Sequence, residues 1–267
     1  MSTVSVLARD VVLVRGPDAA SFLQGQLSQD IDPLEIGGST FSLLLQPQGK
    51  VDAFLRVTRV EEDVFALDVD AGWGEHVRAR LQRFLLRVKV GLEVVDWPVI
   101  AVFDDEGPAP DGAWRVASEL GRGYDLLGPA ARVPDGAAVL DAQAYDGLRI
   151  RAGVPRMGSE LDESTIPASA GVVERSVSFT KGCYTGQELV ARIDSRGDKV
   201  PTKLRRVVGD AVVGALLFDG GREVGRVTSA SGGDGLAYVR RGVEPPATVE
   251  ARWDGGEADV RIEAVGS

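Results

Sequence analysis

The sequence predicts an α+β body over residues 1–203, with room for two subdomains, followed by a small β module over residues 204–267. Three observations carry this. Apolar, β-rich runs early in the chain follow one another across short turns and so pair antiparallel. Segments with helical periodicity interrupt them, the pattern of an α+β layer. From Leu204 the texture changes to short runs at roughly ten-residue spacing, separated by Gly-Gly or Pro-Pro turns.

In chain order, Val11–Arg15 reads as a strand, and Gly16-Pro17-Asp18 opens a helix with Phe22, Leu23 and Leu27 on one side. Thr40–Leu45, Val51–Val60 and Val64–Val69 make an antiparallel sheet, joined by Gln46-Pro-Gln-Gly49 and Glu61-Glu-Asp63. Gly74–Arg87 places Val77, Leu81, Phe84 and Leu85 at helical spacing, with Arg78, Arg80 and Arg83 between, so this helix is expected to pack on the sheet. Val88–Val95 and Val99–Phe103 return to strand, and Asp104–Gly112 and Gly128–Gly136 are loops by their turn-forming content. Ala138–Gly153, with Leu140, Ala144 and Leu148 at four-residue intervals, is expected to be a helix stopped at Gly153-Val-Pro155. Arg156–Ser178 is expected to be irregular and to wrap the surface. Ala215–Phe218, Glu223–Thr228, Gly235–Val239, Thr248–Trp253 and Ala258–Ala264 are the strands of a barrel or sandwich too small to stand without the body.

Composition narrows the class. A hydrophobic content of 44%, 26% charged residues and a mean hydropathy of -0.01 exclude disorder and collagen-like architecture. No apolar run approaches the roughly 18 residues of a membrane span, and Met1-Ser-Thr-Val lacks the features of a signal peptide, so a cytoplasmic protein without a membrane partner is expected. Lys and Arg number 30 against 40 Asp and Glu, and the net charge of -10 argues against direct nucleic-acid binding by the surface as a whole. Cys183 is the only cysteine, which excludes an intramolecular disulfide and a four-thiolate metal site within one chain; no metal site is expected. His76, the only histidine, invites a catalytic reading, but no partner for it is evident.

One segment stands out: Phe179-Thr-Lys-Gly-Cys-Tyr-Thr-Gly-Gln-Glu-Leu-Val-Ala-Arg-Ile193. Thr185-Gly-Gln-Glu188 fits a capping box, which starts a short helix at Gly186 and has Glu188 reach back to the Thr185 amide. Cys183 then lies next to the positive end of that helix with Lys181 nearby, and both influences favour a reactive thiolate. Gly182 and Gly186 let a ligand approach the backbone. Around it, Arg175, Lys181, Arg192, Arg196, Lys199, Lys203, Arg205 and Arg206 face only Glu188, Asp194 and Asp198, a locally basic run suited to an anionic ligand or, on the plainer reading, a solvated linker.

Lys181-Gly-Cys-Tyr-Thr-Gly-Gln-Glu188, continued by Val190-Ala-Arg192 and Arg196-Gly197, resembles the signature of the YgfZ family, folate-binding relatives of the glycine-cleavage T-protein (aminomethyltransferase). Phe22-Leu-Gln-Gly-Gln-Leu-Ser-Gln-Asp30, Gln48-Gly-Lys-Val51, Leu148-Arg-Ile-Arg-Ala-Gly-Val-Pro155 and Thr165-Ile-Pro167 extend the resemblance over most of the chain. It implies a T-protein-like ring of α+β domains around a central folate cavity, with a C-terminal β-barrel module. It also implies a tetrahydrofolate-binding accessory protein that supports assembly or repair of iron–sulfur clusters in client enzymes, tRNA-modifying ones included. Its partners would be those clients or cluster-assembly proteins. Cys183 would be the reactive thiol, assisted by Lys181, and tetrahydrofolate or a derivative would be held by Tyr184, Gly186, Gln187, Glu188, Arg192 and Arg151. The sequence also departs from the T-protein pattern. Ala53 and Phe54 stand where a pair of aspartates is expected, Arg151 replaces a pterin-gripping carboxylate, and Pro167 is followed by Ala168-Ser169. These departures argue against a conventional aminomethyltransferase. A folate-dependent aminomethyl or one-carbon transferase and an RNA-binding module acting through Arg175–Arg206 stay open as alternatives.

Overall fold

The computed structural model describes residues 2–104, 107–195 and 199–265. The chain forms two compact units, one of Met1–Ala142 with Glu174–Gln187 and one of Gln143–Val173 with Glu188–Ser267.

In the first unit, β1 (Thr3–Leu7) and β2 (Arg9–Arg15) follow each other directly but enter different five-stranded sheets. After β2 come α1 (Ala19–Gln26), β3 (Ser39–Leu45), β4 (Val51–Glu61), β5 (Val64–Asp70), α2 (Gly74–Gln82) and β6 (Gly91–Val95). Their strands form the antiparallel sheet β3-β4-β5-β2-β6, as the runs of apolar residues led one to expect. The second sheet adds β7 (Val99–Phe103), β8 (Trp114–Ala117), β9 (Tyr124–Leu127) and β10 (Ala138–Val139) in the order β10-β1-β7-β9-β8. The short strand β10 pairs parallel with β1, so Ala138 and Val139 belong to a sheet edge and not to the expected helix. Helix α2 stops at Gln82, five residues before its expected end. Arg87 sits in the left-handed region at φ 61°, and Phe84 is exposed and Leu85 half-buried instead of joining Val77 and Leu81 in the core.

Charge ties the two sheets together. Arg56 of β4 is 1% exposed and pairs with both carboxylate oxygens of Asp68 on β5, at 2.9 and 3.0 Å. Its Nη1 reaches across to Asp125 of β9 and to the Ala117 carbonyl of β8, each at 2.6 Å. Arg9 adds a second link, from Asp68 at 2.9 Å to Glu119 at 3.1 Å. Arg175 lies over the rings of Phe54 and Phe41, which stack on each other. The buried Arg56 and Arg9 are tolerated because each finds carboxylate partners, and Arg175 instead rests on the two rings and the Glu119 carbonyl.

In the second unit, α3 (Ala142–Ala152) ends at Gly153, whose φ of 71° and contact with Val265 suit glycine alone. Its buried face is Tyr145, Gly147, Arg149 and Ile150, not the expected row of Leu140, Ala144 and Leu148. The periodicity misleads because Arg149 is a core residue: its guanidinium bonds Asp146, Glu160, the Val154 carbonyl and Ser229 at 2.6–3.0 Å. The segment expected to wrap the surface instead holds α4 (Pro167–Ala170) and buries Leu161, Thr165, Ala170 and Val172 in this unit; its remainder, α5 (Val173–Ser176) and the buried Val177, belongs from Glu174 on to the first unit. After α6 (Gln187–Asp194), a closed barrel follows. Its strands are β11 (Thr202–Val208), β12 (Leu216–Asp219), β13 (Arg222–Ser231), β14 (Asp234–Arg240), β15 (Ala247–Trp253) and β16 (Gly256–Ala264), in the order β11-β14-β13-β12-β15-β16. Val207, Leu217, Val227, Ala237, Val249 and Ile262 fill it. Among the described residues no helix is long and apolar enough to cross a membrane.

Candidate functional site

The segment leading to Cys183 is anchored within the first unit. Ser28, just past α1, donates its hydroxyl to the Ser176 carbonyl at 2.6 Å, and its own carbonyl accepts the Ser178 amide at 3.0 Å. Lys181 completes the anchor. Its Nζ donates to the carbonyls of Gln24, Leu27 and Gln29, each at 2.8 Å, and lies 3.2 Å from Gln24 Oε1. These carbonyls are the unpaired end of α1 and the turn after it, where a cation is favoured. Burial pushes the Lys181 ammonium down to about 8, with Asp30 and Asp32 opposing that shift. The Tyr184 ring lies 5.5 Å from the same ammonium, and Tyr184 is partly buried. Lys181 is thus a clamp on α1, while Cys183, two residues later, is exposed with a free thiol.

The capping box forms differently from the expectation. Gly186 has φ 81° and so cannot be the first helical residue; α6 starts at Gln187. The Gln187 side chain accepts the Tyr184 amide at 3.3 Å, and Glu188 instead accepts from Arg192 at 2.6 Å along the exposed face of α6. Gly186 is required by space as well as by φ. A Cβ there would stand 2.5 Å from the Gln46 carbonyl oxygen and 2.8 Å from Leu45 Cβ. Gly186→Ala is therefore expected to destabilise by about 2 kcal/mol or more and to open the Cys183 loop, seen as a lower thermal midpoint and faster limited proteolysis between residues 181 and 186. Unchanged values for both would show that the loop adapts.

Lys181, Cys183, Tyr184, Gly186 and Gln187 thus share one loop of the first unit. Glu188 and Arg192 lie in the second unit and pair with each other; Arg151, exposed on α3, reaches Asp234 at 3.5 Å. The basic run is not one free patch. Lys181 is taken up by carbonyls, Arg192 by Glu188, and Arg206 by Asp234 and Glu263. Arg196, Gly197 and Asp198 lie outside the described residues.

A second group forms around a carboxylate that no sequence motif marks. Asp52 opens β4 and is buried, with Oδ1 2.9 Å from His76 Nε2 and Oδ2 2.8 Å from Arg80 Nε. His76 therefore has a partner. Arg80 also donates to the Leu45 carbonyl at 3.2 Å, and its Nη1 is buried without a partner among the described residues. The available signal was an acid inside the apolar run Val51–Val60. The neighbouring Ala53 and Phe54 are buried core residues and supply no carboxylate. The hairpin at Leu45–Gly49 touches both groups, Gly186 on one side and Arg80 on the other. Chemically, the first unit presents an exposed free thiol at its surface and a carboxylate fixed between an imidazole and a guanidinium.

Comparison with known proteins agrees with this description. Residues 200–264 match the family model for the CAF17 C-terminal β-barrel domain. The chain is 30% identical over 229 residues to the iron–sulfur cluster assembly factor IBA57 homolog, mitochondrial, of Pyricularia oryzae, covering 79% of this chain and 56% of that protein. It is 29% identical to the tRNA-modifying protein YgfZ of Klebsiella pneumoniae, covering 69% and 64% of the two chains. The chain therefore spans between half and two-thirds of the length of these two relatives. Its fold superposes on the glycine cleavage system aminomethyltransferase T of Bartonella henselae with a TM-score of 0.83 at 21% identity, covering 99% of this chain and 85% of that one. The fold is thus the T-protein fold with a closed C-terminal barrel. Motif, fold and relatives agree: the chain matches the YgfZ/IBA57/GcvT-like family.

Proposed function

We propose that the chain is a tetrahydrofolate-binding accessory protein that supports assembly or repair of iron–sulfur clusters in client enzymes, tRNA-modifying enzymes among them, with Cys183 as the working thiol. The observation that carries the reading is the exposed Cys183 on a loop clamped by Lys181. A soft ligand is held at the surface, where another protein's cluster can reach it. Relatives named for iron–sulfur cluster assembly and for tRNA modification support it. One thiol cannot hold a cluster by itself, so contact is transient and the cluster is cargo whose other ligands come from the partner.

The residues of the first unit fit a reduced folate in kind. Asp52 is an acceptor for pterin N–H groups, and Arg80 brings a buried N–H that lacks an acceptor. When bound, a reduced folate supplies nitrogen atoms that carry one-carbon units; the chain's own part is to orient the ring through Asp52, Arg80 and His76. The transferase alternative is disfavoured by Ala53 and Phe54, which leave Asp52 as a single carboxylate already engaged by two side chains.

Calorimetric titration with tetrahydrofolate tests the folate half. Micromolar affinity, about −8 kcal/mol, is expected for the native chain and for Cys183→Ala, with Asp52→Asn clearly weaker. Absence of heat and of thermal shift at millimolar folate would remove folate from the reading. Aminomethyl transfer to tetrahydrofolate at T-protein rates would favour the transferase.

A further inference from the structure

The thiol and the Asp52 group leave the outer wall of the barrel without a role. A groove of about 570 Å³ runs there, with Val212, Val213, Leu216, Phe218 and Trp253 as its apolar lining. Ala215 and Leu217 are fully buried in the barrel core, so the intervening Leu216 and the following Phe218 face outward by the alternation of a strand. Val212 and Val213 are 43% and 63% exposed, unusual for aliphatic side chains placed side by side.

Two arginines flank this lining. Arg226 of β13 and Arg252 of β15 are the register partners of Leu216 on its two neighbouring strands, so their Cα atoms stand about 10 Å apart at the usual strand spacing. Arg252 is held in place: Glu250 accepts from it twice at 2.6 Å, and its guanidinium lies 4.5 Å from the Phe218 ring centroid. Arg226 is exposed and has no ion-pair partner among the described residues. The lining carboxylate, Asp254, follows β15 at the Trp253 end. A chain of net charge -10 thus carries an apolar groove edged by one oriented and one unpaired guanidinium. The closed barrel offers no strand edge there, so an occupant is recognised by side chains and not by added β pairing.

We propose that this groove docks an extended acidic peptide segment of a partner protein, with an aliphatic side chain on Leu216 and Val213 and a carboxylate on Arg226. Charge complementarity selects this occupant, since a basic segment would leave Arg226 facing a like charge.

The full-length chain is titrated against two fluorescein-labelled hexapeptides and read by anisotropy: two leucines flanked on each side by two glutamates, and the same peptide with lysines in place of the glutamates. The glutamate peptide is expected to bind at least about tenfold more tightly, equivalent to about 1.4 kcal/mol. Arg226→Glu should erase that preference, Val213→Asp should weaken binding by a similar factor, and Arg78→Glu on α2 should change neither. Circular dichroism verifies that each variant is folded; both groove positions are exposed. Equal binding of the two peptides, no binding of either, or indifference to Arg226→Glu overturns the proposal. So does sedimentation showing that the chain pairs with itself through Val213, because the occupant would then be a second copy.

Discussion

Replacing Arg56 by methionine is expected to lower the unfolding free energy by about 3–5 kcal/mol, read as a lower urea midpoint at constant slope. The guanidinium satisfies Asp68 and Asp125 and joins β4 to β8 and β9. Methionine fills much of the volume but leaves two buried carboxylates with one partner fewer each. Asp125 makes the network pH-dependent. Its Oδ2 accepts from Arg56, but Oδ1 is buried without a partner among the described residues, and burial pushes the group up to about 6 while Arg56 opposes the shift. An unfolded aspartate titrates near 3.9. Between those values the native state holds more protons than the unfolded one, so the contribution of Asp125 is fully present below about pH 4 and lost as pH rises through about 6, a change of roughly 3 kcal/mol. Asp125→Asn keeps an acceptor for Arg56 and is expected to flatten this part of the stability profile without lowering stability at pH 7. A variant that keeps the parental slope between pH 4 and 6, or that loses as much as Arg56→Met at pH 7, would show that Asp125 is ionised and needed as an anion.

The same network shows where sequence patterns stop being informative. The strands β2 to β5 were legible because each is a continuous apolar run bounded by turns. The barrel was legible from evenly spaced short strands. Arg56, Arg149 and Asp52 were not legible as core, because a charged residue in a periodic pattern marks the solvent face unless its partner is known. Those partners lie far along the chain, as Asp125 does for Arg56. Helix α2 was overextended for the opposite reason. Phe84 and Leu85 satisfy helical spacing, yet the helix stops at Gln82 and leaves Phe84 exposed and Leu85 only half-buried. Strands β8 and β9 are four residues each, too short for alternation to register. At the candidate site, the motif singled out the loop that carries Cys183 and Gly186, but not what its lysine touches. Only the fold brings the carbonyls of Gln24, Leu27 and Gln29 to converge on Lys181.

That convergence frames the expected behaviour of Cys183. Cys183→Ser should keep folate affinity, since one exposed side chain contributes little to a pocket, while support of a client iron–sulfur enzyme should fall to the level seen without the protein. The hydroxyl is close in size but is a poor ligand for iron and a weak nucleophile, so the comparison isolates chemistry from packing. Because the thiol is exposed, iodoacetamide should label the native chain without denaturant. Lys181→Met tests the clamp. It removes the donor shared by three carbonyls and is expected to cost about 2 kcal/mol. It should also speed hydrogen exchange at the amides of Cys183 and Tyr184 and weaken client support without abolishing it. Lys181→Arg should not restore full function, because a planar fork cannot point three N–H bonds at converging carbonyls as an ammonium does. If Cys183→Ser loses folate binding and client support together, the cysteine is structural. If Lys181→Met leaves both exchange and client support unchanged, the clamp is dispensable and the loop is held by Gly186 and Gln187 alone.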